Sequence, residues 1–144
     1  MIFGNDYIGI YDNALTKKEC EMIINRFETK DNHRQKKVNT NIEGTNKTLK
    51  TCSQISFNFK DNDDAFYHRM IVNAIQRKFH LYRKKYPYLE HGSTSCKFDL
   101  TSHYNLQKYT DGQGYYPLHC EHGTLGPYRM LVWMIYLNDA KCGT

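Results

Sequence analysis

Apolar positions recur at helical spacing in two stretches of the chain. In the first, Cys20, Ile23, Ile24 and Phe27 fall three and four apart, which places them on one stripe of a helix. Thr16-Lys17-Lys18-Glu19 precedes them in the S/T-x-x-E form of a capping box, so a helix is expected over 16–28. In the second, Phe66, Met70, Ile71, Ala74, Ile75, Phe79 and Tyr82 share a stripe, which predicts a long amphipathic helix over 64–85 that stops before Pro87. Acidic residues at 61–64 suit its positive N-terminal end.

Other stretches alternate with a period of two. Ile55, Phe57 and Phe59 oppose Ser56 and Asn58, the pattern of a half-buried strand over 51–60. Phe98, Leu100, Tyr104 and Leu106 share one face of 97–109, which reads as one long strand or two short ones. The sequence YIGIY at 7–11 is a short strand candidate. The segment 129–138 is the most apolar and is expected to be the central strand. Between these, 29–50 is rich in Asn, Thr and Lys and reads as a long surface loop, either a lid or unstructured. The stretch 87–95 reads as a second loop. There is no internal repeat or low-complexity tract, so one domain over 1–144 is expected.

Composition narrows the class. Of 144 residues, 40% are hydrophobic and 24% charged, as in globular domains with a real core. No apolar run approaches the ~18 residues of a membrane span, and the N-terminus lacks the basic and apolar regions of a secretory signal, so a cytoplasmic protein without a membrane partner is expected. Cys20, Cys52, Cys96, Cys120 and Cys142 are scattered with no CxxC, which favours free thiols over disulfides or a zinc site. The net charge of +5 is concentrated at Arg77, Lys78, Arg83, Lys84 and Lys85, on the second helix. Without a nucleic-acid-binding motif beside it, this charge reads as a solvated helix face.

The chemistry-bearing stretch is 106–144, LQKYTDGQGYYPLHCEHGTLGPYRMLVWMIYLNDAKCGT. A polar strand enters a Gly-rich turn, and His119 and Glu121 follow one residue apart. In extended chain, residues i and i+2 project from the same face, so an imidazole and a carboxylate can converge on one point. Such a pair supplies two-thirds of the 2-His-1-carboxylate triad that holds non-haem iron(II) and leaves coordination positions open. Gly112 and Gly114 are turn residues, and Cys120 and His122 alternate away from the His119 face.

These residues carry a resemblance. Tyr109, Gly112 and Gly114, Tyr115 or Tyr116, His119 with Glu121, Arg129, Tyr136-Leu137-Asn138 and Gly143-Thr144 follow the order and spacing of prolyl 4-hydroxylase-like 2-oxoglutarate- and iron(II)-dependent dioxygenases. The match is close over 107–144, and 7–27 resembles the entry strand and helix of that family. Glu121 stands where the family usually has Asp; it keeps the charge and adds a methylene.

The resemblance implies an α+β fold whose core is a double-stranded β-helix (a jelly roll, cupin-like), incomplete here, with N-terminal helices packed on the sheet. It implies an Fe(II)- and 2-oxoglutarate-dependent dioxygenase that uses O2, with ascorbate as a further cofactor. The reaction would hydroxylate a prolyl or other side chain of a protein, or a small molecule. His119 and Glu121 would ligate the metal, Tyr109 and Tyr136 would contact 2-oxoglutarate, and Tyr116 and Arg129 would face substrate. No residue before Thr144 matches the family's second iron-binding His or its cosubstrate-pairing Arg or Lys. The chain is therefore expected to be the N-terminal part of the catalytic domain. Two other readings compete: a non-catalytic binding or scaffold protein that retains half of the barrel, and a zinc- or nucleic-acid-binding module.

Overall fold

The computed structural model describes residues 7–29, 36–41, 44, 48–58, 62, 64–89, 103–117, 119 and 131–139. Two helices and a three-stranded antiparallel sheet make up an α+β arrangement. Helix α1 spans Lys17–Glu28 and helix α2 spans Ala65–Lys85. Strands β1 (Lys36–Asn41), β2 (Thr48–Asn58) and β3 (His103–Lys108) lie in the order β1-β2-β3. A short 3-10 turn, Pro87–Leu89, follows α2.

Helix α1 starts where its capping box places it. The Thr16 hydroxyl accepts from the Glu19 backbone N–H, and the Glu19 carboxylate accepts from the Thr16 backbone N–H at 2.7 Å. These bonds satisfy donors that a helix start leaves without intrahelical partners, and they hold the Glu19 carboxyl below its ordinary pKa. Helix α2 begins differently. Asp64 is its N-cap residue but makes no side-chain cap. Its carboxylate turns inward and pairs with Arg26 of α1 at 2.7 Å, both side chains being buried. The Arg26 guanidinium lies 4.4 Å from the centre of the Tyr67 ring and 5.5 Å from that of Phe57. An ion pair so enclosed is desolvated at a cost, so it positions α1 against α2 more than it stabilises them.

The core lies between the helices and one face of the sheet. Phe27 of α1 packs on Ile55 and Phe57 of β2. Leu15, Ile23, Ile71 and Ala74 form a second cluster between the helices. Tyr67, Tyr104 and Leu106 touch both clusters. Phe57 and Tyr104 stack across β2 and β3 with ring centres 5.7 Å apart. Each fully buried Phe or Ile contributes about 1.5–3 kcal/mol by leaving water.

Four expectations are corrected. The segment 7–11 is not a strand: Ile8 and Ile10 are exposed and Tyr7 has φ of 62°. Donors from α2 tie this segment down instead. Tyr82 donates to the Tyr7 carbonyl at 2.6 Å, Lys78 to that of Asp12 at 2.8 Å and Arg77 to that of Ala14 at 3.2 Å. Two of the basic residues assigned to a solvated face thus anchor the chain's entry. The segment 29–50 is not one loop, because it holds β1 and the start of β2. Among the described residues of 129–138, none lies in a strand, so this segment is not the central one; β2 is. Its period-two pattern nevertheless survives. Trp133, Ile135 and Leu137 pack on the core, while Val132, Met134 and Tyr136 are exposed. Finally, Phe66 is exposed rather than part of the buried stripe of α2. The positions 97–102, most of 87–95, and Phe59 lie outside the described residues.

Candidate functional site

Strand β2 has two faces with different neighbours. Ile55 and Phe57 point to the helices. Lys50, Cys52 and Gln54 alternate to the opposite, outer face. Directly paired residues of an antiparallel ladder share a face, so Gln107, opposite Gln54, is on the outer face as well.

After β3 the chain leaves the ladder for one turn and then returns to it. The Gln113 N–H bonds to the Thr110 carbonyl at 2.9 Å, and Gly112 takes φ of 78°, the left-handed region that suits glycine. Pairing with β2 resumes through Thr51 N–H to Gly114 carbonyl at 2.8 Å and Tyr116 N–H to Leu49 carbonyl at 3.0 Å. Lys50 and Tyr115 are bridge partners, which puts Tyr115 on the outer face. The Gly-rich turn predicted to deliver the His119 segment therefore does so by setting it back against the edge of β2.

On the outer face Tyr115 stacks on the His119 ring, with centres 3.9 Å apart and planes 15° from parallel. His119 Nδ1 lies 3.1 Å from the Pro117 carbonyl. A carbonyl only accepts, so Nδ1 is the donor and the neutral ring carries its lone pair on Nε2. A backbone carbonyl that holds one ring nitrogen and so fixes the tautomer is also a feature of metal-binding histidines.

Tyr109 reaches this face from the end of β3. Its hydroxyl donates to Gln107 Oε1 at 3.0 Å and interacts with the Cys52 thiol. Burial, followed by the neighbouring thiol, pushes the Tyr109 phenol up to about 12, so it is a neutral donor across the physiological range. Burial also raises the Cys52 thiol, against the opposing pull of the Lys50 ammonium. Cys52 is 1% exposed and therefore a packed thiol.

Tyr116 lies on the other face from Tyr115. Its hydroxyl donates to the Gly112 carbonyl at 2.6 Å and approaches the Thr51 hydroxyl at 3.4 Å, so it braces the turn. Tyr136 is 58% exposed, on the side of 131–137 opposite to the core-packed Trp133, Ile135 and Leu137. Tyr109, His119 and Tyr136 thus all turn away from the helical layer. Glu121 and Arg129 lie outside the described residues. Among the described residues, no three His, Cys, Asp or Glu side chains converge on a point where they could hold a metal.

Sequence reasoning did not single out Lys50, Gln54 or Gln107. Little in the sequence marks them, because 50–54 reads Lys-Thr-Cys-Ser-Gln, polar at both parities, and 50 had been assigned to a loop. No protein-family model, curated protein or solved structure matches this chain.

Proposed function

We propose that the chain belongs to the catalytic domain of an Fe(II)- and 2-oxoglutarate-dependent dioxygenase with a double-stranded β-helix core, acting on a side chain of a protein or on a small molecule. The observation that carries this reading is the state of His119. Its Nδ1 is committed to the Pro117 carbonyl and its ring is held against Tyr115, so Nε2 is the basic nitrogen. That donor chemistry fits a first-row divalent metal. Glu121, two residues on in sequence, would supply the carboxylate. When bound, the iron and 2-oxoglutarate supply the oxygen activation that hydroxylates a C–H bond.

The protein's own residues bind and orient. Tyr109 offers a neutral hydroxyl on the His119 face, and Tyr136, on the side of 131–137 turned away from the core, is assigned to 2-oxoglutarate by the sequence resemblance. Tyr115 fixes the imidazole plane. Arg129 is assigned to the substrate side by the sequence resemblance alone. Tyr116, bonded to the Gly112 carbonyl, would reach substrate only by leaving that bond.

Release of succinate from 2-oxoglutarate in the presence of Fe(II) and oxygen tests the reading, in the protein together with any coding sequence that continues it. His119→Ala and Glu121→Ala should abolish release, and Glu121→Asp should retain part of it. Full activity in His119→Ala would overturn the metal assignment, and no succinate release by the wild-type protein would leave the binding-protein reading in its place.

A further inference from the structure

The two most exposed large apolar side chains among the described residues, Ile8 and Ile10, sit in the segment that enters the fold. That segment runs along the last turns of α2, held by the bonds from Tyr82, Lys78 and Arg77. Tyr7 takes its left-handed φ of 62° there and sets its ring 5.1 Å from that of Tyr86. Gly9 faces the helix: a Cβ at Gly9 would lie 2.7 Å from the Tyr11 ring and 2.8 Å from the Tyr82 ring. Ile8 and Ile10 flank it and point the other way, 69% and 87% exposed. The backbone on both sides of them is tied to α2, so their exposure is set by the fold. The same end of α2 is basic. Lys84 and Lys85 are exposed, and Lys85 Nζ sits 5.2 Å from the centre of the Tyr86 ring. In 7–14 and 78–86 the only acid is Asp12, against Lys78, Arg83, Lys84 and Lys85.

We propose that this end of the molecule docks on an anionic lipid surface. Ile8 and Ile10 enter the boundary between headgroups and acyl chains, the Tyr7 ring lies at headgroup level, and Lys84 and Lys85 meet the lipid phosphates. Exposed aliphatic tips beside cations are what such a boundary takes. A single-stranded nucleic acid would use the cations but not the isoleucines. It would also need open rings for its bases, and of Tyr7, Tyr11, Tyr82 and Tyr86, Tyr7 alone is exposed. The expectation of no membrane partner rested on the absence of spanning runs, which a surface contact does not need. Lipid docking here is independent of the chemistry at His119.

The test is co-sedimentation with phosphatidylcholine vesicles, either alone or carrying about 30% phosphatidylserine. It is run on the 144-residue chain and on the protein together with any coding sequence that continues it. Both should pellet with the anionic vesicles, far less with the neutral ones, and less again at ~0.5 M salt. Ile8→Ser with Ile10→Ser should weaken binding about tenfold or more without lowering the melting temperature, since both side chains are already in water. Ile8→Leu with Ile10→Leu should retain it, which separates loss of apolar surface from misfolding. Lys84→Gln with Lys85→Gln should remove most of the preference for anionic vesicles. No pelleting by wild type, equal pelleting with both vesicles, or unchanged binding in the serine variant would each overturn the proposal. So would binding that is lost when the continuing sequence is present, because that sequence then covers the face. Tighter binding to an oligothymidylate than to vesicles would assign the face to nucleic acid instead. Failure to pellet, with a shift toward monomer in the serine variant, would assign it to a second copy of the chain.

Discussion

At the scale of single residues, the most consequential side chains are those that satisfy each other across the sequence. Asp64 reads as a helix-capping acid, yet its carboxylate belongs to Arg26, 38 positions away. Nothing local in the sequence announces such a pair, because it depends on α1 and α2 crossing at that point. Both side chains are nearly inaccessible, at 6% and 0% exposure. Asp64→Asn removes the carboxylate partner of a buried guanidinium and should cost about 3 kcal/mol or more. Urea denaturation, with the slope of the transition unchanged, is the measurement. A loss below about 1 kcal/mol would show that water reaches the pair and screens it. The site shows the same logic on a smaller scale. His119 was singled out by its spacing from Glu121 and Tyr109 by the family resemblance, but Tyr115 was separated from Tyr116 only by the bridge with Lys50.

At the scale of elements, both helices were legible because each has a capped start or proline stop and a wide apolar stripe. Strand β1 was not, and the reason is physical. It is an edge strand in which Val38 alone is half-buried, so no face imposes alternation on its sequence, and its two lysines discourage further pairing. The opposite error, at 131–137, arose because an apolar alternating run signals burial on one face but says nothing of hydrogen-bonded neighbours. The turn between β3 and the His119 segment is the element on which the site depends most. A Cβ at Gly112 would meet nothing within 4 Å, so Gly112→Ala should act through backbone conformation alone. It should cost about 1–2 kcal/mol for an L-residue held in the left-handed region. Hydrogen exchange at the Thr51 and Tyr116 amides should rise in the same variant, since the turn sets their pairing. Unchanged exchange would mean that the 114–116 bridge holds without the turn.

At the scale of the whole molecule, the helices cover one face of the sheet, and the other carries the candidate site. Val132, Met134 and Tyr136 are 60%, 60% and 58% exposed in a row along one side of 131–137. A contiguous apolar strip of this kind favours association. The 144-residue chain alone should therefore self-associate, and Val132→Lys with Met134→Lys should shift it toward monomer in sedimentation velocity. A wild-type chain that stays monomeric at high concentration would refute this. The central claim, however, is that His119 binds metal through Nε2 with Glu121 beside it. Nitrogen-15 NMR of the histidine side chains tests it most directly, read before and after anaerobic addition of Fe(II). The account predicts that metal-free His119 is protonated on Nδ1, that Fe(II) broadens its ring signals ahead of those of the other histidines, and that Glu121→Ala removes the effect. A His119 ring left sharp by Fe(II), or one broadened equally in Glu121→Ala, would contradict it.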